Sequence, residues 1–82
     1  MIYKRNQIAL EDILNFCSKI EIYLKEMSKV DFENNELVID AVLRNLELIG
    51  EASKRLSNEF INKYSNIPWK KIIGLRNIVI HE

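Results

Sequence analysis

Apolar residues recur along this chain at three- and four-residue steps. Ala9, Ile13, Phe16, Cys17, Ile20, Leu24 and Met27 fall on one face of a long first helix, with Asn6 placed at its start. The stretch from Ser28 to Asn34 is polar, contains Asp31, runs into the pair Asn34-Asn35, and reads as a connection. A second helix is predicted from about Asn35 to Leu56 on the stripe Val38, Ala41, Val42, Leu46, Ile49, Ala52 and Leu56, with Leu48 flanking it. Gly50 lies inside this helix. Glycine there costs about 1 kcal/mol against alanine, so its presence points to the close approach of another helix. Glu47, Glu51, Lys54 and Arg55 are spaced for charge pairs along a solvated face.

A short helix is expected between Ser57 and Tyr64, carrying Phe60, Ile61 and Tyr64. Ser65-Asn66-Ile67-Pro68-Trp69 then signals a new start, because proline suits the first helical positions. The last helix carries Trp69, Ile72, Ile73, Leu75, Ile78, Val79 and Ile80. It is apolar around most of its circumference, which predicts burial between other helices, and Gly74 again suggests close packing. No strand alternation, repeat or low-complexity tract interrupts the pattern. The predicted class is all-α: one domain, residues 1–82, folded as an antiparallel up-and-down helical bundle.

Eighty-two residues bury only a modest core, so partner chains are expected to complete it. Twelve acids balance twelve bases, and the distribution says more than the total. Residues 1–59 hold eight Lys/Arg against eleven Asp/Glu, whereas residues 60–81 hold Lys63, Lys70, Lys71 and Arg76 with no acid. A basic segment on a mildly acidic body suits phosphate binding, and it equally describes a solvated basic face. The single cysteine, Cys17, reads as a small core residue. With one histidine it makes no metal-ligand cluster, so neither metal nor cofactor is expected. No apolar run reaches the roughly 20 residues of a membrane span, and the N-terminus lacks a leader's apolar stretch. A reduced cytoplasm is the expected location.

Candidate chemistry lies in Arg76-Asn77-Ile78-Val79-Ile80-His81. Histidine moves protons near neutral pH, and arginine holds phosphate through a planar fork of donors. RNA carries its own nucleophile in the 2′-hydroxyl. A neutral imidazole can take that proton, a protonated one can supply the leaving 5′-oxygen, and arginine can stabilise the charge that builds on phosphate. Asn77 can orient a water, the phosphate or the imidazole. Five residues of helix turn Arg76 and His81 about 140° apart, so their Cβ atoms do not stack. A twofold dimer would instead line one groove with two copies of each. The same histidine is also served by a plain role at a helix C-terminus, bonding free carbonyls. Trp69 and Tyr64 fit either base stacking or core packing.

Two blocks carry a resemblance. Asp40-Ala41-Val42-Leu43-Arg44-Asn45-Leu46-Glu47-Leu48-Ile49-Gly50-Glu51-Ala52-Ser53-Lys54-Arg55-Leu56 resembles the second helix of the HepT-like ribonuclease toxins, a branch of the HEPN superfamily. So does Ile67-Pro68-Trp69-Lys70-Lys71-Ile72-Ile73-Gly74-Leu75-Arg76-Asn77-Ile78-Val79-Ile80-His81, in the same order. The resemblance implies a dimer whose motif helices face a shared cleft, and metal-independent RNA endonuclease activity. In it Arg76 and His81 match the catalytic pair, Asn77 the polar residue after the arginine, and Glu51 an acidic residue expected to orient Arg76. Lys70 and Lys71 are the expected RNA contacts.

The resemblance also implies an MNT-type nucleotidyltransferase antitoxin that adds AMP to a tyrosine two residues past the motif histidine. This sequence ends at Glu82, before that tyrosine and before a further helix of the family. Neutralisation through that tyrosine is therefore not expected for the chain as written. Two readings follow: an RNA-cutting toxin active as a homodimer, or a truncated, non-catalytic dimerisation or antitoxin-binding module.

Overall fold

The computed structural model describes residues 2–75, with side chains from Lys4 onward. Its elements are α1 (Ile2–Leu24), α2 (Lys29–Glu33), α3 (Glu36–Lys54), α4 (Asn58–Lys63) and α5 (Trp69–Ile73). No strand occurs among the described residues, and the expected all-α bundle is observed. α3 is the central element and packs against α1, α2 and α5.

α1 and α3 run antiparallel, as their polar cross-links show. The Asn6 amide donates to the Ser57 hydroxyl at 3.1 Å, and the Ser57 backbone N–H donates to Asn6 Oδ1 at 3.0 Å. Arg5 Nε donates to the Arg55 carbonyl at 2.6 Å, and Arg55 Nη2 pairs with Asp12 Oδ2 at 2.6 Å. All of these tie the N-terminal half of α1 to the C-terminal end of α3. Ala9, between Asn6 and Asp12, is fully buried. The Arg55–Asp12 pair leaves its side chains 47% and 37% exposed, so solvent screening holds its worth to about 0.5 kcal/mol.

The core is thin. Among the described residues its buried apolar members are Ala9, Val42, Ile49, Ala52 and Leu56. Asn45 and Ser53 are buried with them. Each satisfies its side chain on its own helix: Asn45 Nδ2 donates to the Ala41 carbonyl at 2.8 Å, and Ser53 Oγ to the Ile49 carbonyl at 2.8 Å. Polar side chains thus enter the seam without leaving an unpaired atom. Farther along α1, Leu14 and Ile22 are largely exposed, as are Val30 in α2 and Leu37 in α3.

Several expected boundaries move. α1 begins at Ile2, not at Asn6, because Asn6 bonds Ser57, 51 residues away, instead of capping its own helix. α1 stops at Leu24, where Glu26 takes a left-handed conformation (φ 64°) and leaves Met27 beyond the helix. The stretch read as a connection holds α2. A capping box starts it: Asp31 N–H donates to Ser28 Oγ at 3.0 Å and Ser28 N–H to Asp31 Oδ2 at 3.2 Å. Asn34 ends α2, and Asn35 caps α3 by accepting from Val38 N–H at 3.1 Å. Arg55 reaches across to Asp12 instead of pairing along its own helix. Arg44–Glu47, at 3.3 Å, is an ion pair within α3.

Candidate nucleic-acid interface

The basic C-terminal segment is built on α4 and α5. Ser57 caps α4 by accepting from Phe60 N–H at 3.1 Å. Tyr64 closes it, and Pro68 occupies the N-cap of α5, one position before the first helical residue. Between the two helices three aromatic rings gather. Phe60 and Tyr64 have centroids 4.8 Å apart, and Phe60 meets Trp69 edge-on at 6.1 Å. Trp69 Nε1 donates to the Tyr64 carbonyl at 3.1 Å, which fixes the indole against the turn. Lys63 Nζ lies 5.6 Å from the Tyr64 ring centroid, within cation–π range. The aromatics therefore serve packing and remain partly accessible: Tyr64 is exposed and Trp69 half-buried.

α5 packs against α3, and the two backbones approach closely at Gly50. A Cβ built on Gly50 would lie 2.9 Å from the Ile73 carbonyl oxygen and 3.5 Å from its Cα. Only a residue without a side chain admits backbone that near, so the glycine in the C-terminal half of α3 has the role its sequence position suggested. Gly74 does not repeat it. Among the described residues, the atoms nearest a Cβ built there belong to its own turn, Lys70 O at 3.4 Å and Lys71 O at 3.9 Å. Gly74 is instead the C-cap of α5, its N–H directed at the Lys70 and Ile72 carbonyls. Among the described residues, the predicted last helix is broken by a turn at Gly74.

Lys70 and Lys71 are exposed on α5. They line a groove with Ile61, Asn62, Ser65, Ile67, Pro68 and Trp69. Glu51 is exposed on α3, one residue past Gly50, and lines a second groove with Phe16, Leu48, Ala52, Lys54 and Arg55. Among the described residues Glu51 has no ion-pair partner. Arg76, Asn77 and His81 lie outside the described residues, as does the expected contact between Arg76 and Glu51. Asn62, a polar residue on α4, was not singled out in the sequence, and Ser65 was read only as part of a helix-start signal, because neither carries a periodic signal. Among the described residues no three His, Cys, Asp or Glu side chains cluster to hold a metal ion, and no helix is long and apolar enough to cross a membrane.

The fold and the basic α4–α5 segment define an all-α chain with a polyanion-compatible face. Comparison with known proteins narrows the class. The family model described as "Ribonuclease HepT-like" matches residues 13–82, a stretch that includes Arg76 to His81. "Putative RNase MJ1380" of Methanocaldococcus jannaschii is 44% identical over 73 residues, covering 89% of this chain and 67% of that protein. "Putative RNase TTE0752" of Caldanaerobacter subterraneus subsp. tengcongensis is 44% identical over 73 residues, covering 89% and 65%. "Probable ribonuclease HepT" of Thermococcus cleftensis is 39% identical over 72 residues, covering 88% and 66%. The chain thus spans about two thirds of the length of these relatives. No solved structure matches it. The chain belongs to the HepT-like ribonuclease family.

Proposed function

We propose that this chain is a metal-independent RNA endonuclease, the toxin of a HepT/MNT-type pair, which cuts RNA by attack of the 2′-hydroxyl. The observation that carries the reading is the family match across residues 13–82, which takes in the Arg76–His81 motif together with the α3 block that contains Glu51. In this reading His81 accepts the 2′-hydroxyl proton and returns a proton to the leaving 5′-oxygen. Arg76 stabilises the charge on the non-bridging oxygens, and Asn77 orients the phosphate or the imidazole. The bond from phosphorus to the 5′-oxygen breaks as the bond to the 2′-oxygen forms. The products are a 2′,3′-cyclic phosphate and a 5′-hydroxyl.

The architecture supports this placement. α5 approaches the C-terminal half of α3 at Gly50, one residue before Glu51, and Arg76 follows Ile73 by three positions in the sequence. In this reading Arg76 meets Glu51 of α3. A carboxylate there would orient the guanidinium by a charge-assisted bond. A second copy of the chain would double the motif within one cleft, and a nucleotidyltransferase antitoxin would be its partner. Purified protein should cut total RNA in EDTA, and Arg76→Ala should abolish the cutting. A folded wild-type protein that leaves RNA intact would overturn the proposal.

A further inference from the structure

The groove between α4 and α5 is formed from chemistry that a single unpaired nucleotide can use. Its walls are apolar: Ile61, Ile67, Pro68 and Trp69. Two polar residues, Asn62 and Ser65, also line it; both are exposed, and no described residue bonds either side chain. Lys70 and Lys71 complete the lining. From Phe60 to Leu75 the chain has three lysines and no acid, so the field over this face is positive. A peptide partner would need a run of carboxylates to match that charge. An unpaired RNA nucleotide matches it with a phosphate and also offers a flat apolar base with polar edges. Bases in a duplex have no free face to lay against the indole or the proline.

We infer that the α4–α5 groove seats one unpaired base of the RNA substrate, with Asn62 and Ser65 on the base edge and Lys70 and Lys71 on the flanking phosphates. The inference rests on the ribonuclease reading and adds to it a preference for single-stranded RNA. In the sequence the groove's last lining residue, Lys71, precedes Arg76 by five positions. Asn62 and Ser65 act as specificity residues, outside the reacting atoms.

Trp69 is the only tryptophan in the chain, so its fluorescence reports the groove directly. The probe is a 2′-O-methyl single-stranded RNA, which lacks the nucleophile and cannot be cut. Its binding is followed in parallel by anisotropy of an end label. The single strand should quench Trp69 emission, and the same sequence as a duplex should not. Lys70→Gln/Lys71→Gln should lower the log–log salt slope of single-strand binding by ~1.4. The matching change at Lys19, on α1, and Lys25, just past its end, should leave the slope within ~0.3 of wild type. Asn62→Ala/Ser65→Ala should weaken binding about fivefold or more, the scale of losing two modest hydrogen bonds. Binding seen by anisotropy without quenching, or equal quenching by the duplex, would overturn the groove assignment. Cleavage of ordinary RNA measured on the same preparation keeps the two claims apart: cutting without quenching would sink the groove and spare the nuclease. Quenching without cutting would do the reverse.

Discussion

Gly50→Ala tests the close backbone approach between α3 and α5. In an ordinary helix the exchange would stabilise by about 1 kcal/mol through propensity alone. Here the new methyl carbon would stand 2.9 Å from the Ile73 carbonyl oxygen. That atom belongs to backbone and cannot rotate away. Ordinary van der Waals contact begins near 3.4 Å, so α5 must withdraw by roughly half an ångström. Overpacking of this kind costs about 1–3 kcal/mol. Subtracting the propensity gain leaves a net loss of about 1 kcal/mol, or roughly 4–8 °C in Tm for a domain of this size. Thermal melts by circular dichroism at 222 nm measure it, with Trp69 emission reporting on α5 separately. Asn15→Ala, on the exposed side of α1, is the control and should gain about 0.5 kcal/mol from propensity. A Gly50→Ala protein that melts at or above the wild-type temperature with unchanged emission would refute the close approach.

Three further perturbations probe other links. Asn6→Ala removes both bonds to Ser57, including one to a backbone N–H, and should cost about 1–2 kcal/mol in urea denaturation. Glu26→Gly relieves a left-handed backbone at the end of α1 and should stabilise by up to about 1 kcal/mol, read as a higher Tm. Glu51→Ala, at an exposed position, should leave the melt unchanged while lowering RNA cleavage by about 10- to 100-fold, the kinetic equivalent of one charge-assisted bond. Full activity in that variant would remove Glu51 from the account.

Much of this architecture could be read from side-chain periodicity, and the exceptions share a cause. The α3 stripe was legible because burial on one helical face leaves a repeating signature, and Gly50 stood out as costly unless something approached it. Asn6 was placed at the start of α1, four residues late, because its partner, Ser57, is distant in sequence and local rules cannot see it. Arg55 was matched to neighbours on its own helix, whereas the fold offers it Asp12. Asn45 and Ser53 lie outside the predicted apolar stripe, yet both are buried, each bonding a carbonyl one turn back on its own helix. α2 carried a readable signal, Ser28 followed three residues later by Asp31, within a stretch too polar to suggest a helix. Gly74 follows the same logic as Gly50 but ends a helix instead of seating one. In the candidate site, the lysines and aromatics were visible as residue types. Their assembly into a groove with Asn62 and Ser65 depends on the turn between α4 and α5.

The central claim is metal-free cutting of RNA by the Arg76–His81 motif. Its most direct test is end-group analysis of RNA incubated with the purified protein in EDTA, beside a His81→Ala control of equal thermal stability. The account predicts fragments with 5′-hydroxyl and 2′,3′-cyclic phosphate ends, which disappear in the control. Fragments with 5′-phosphate ends, or cutting that persists in His81→Ala, would contradict it.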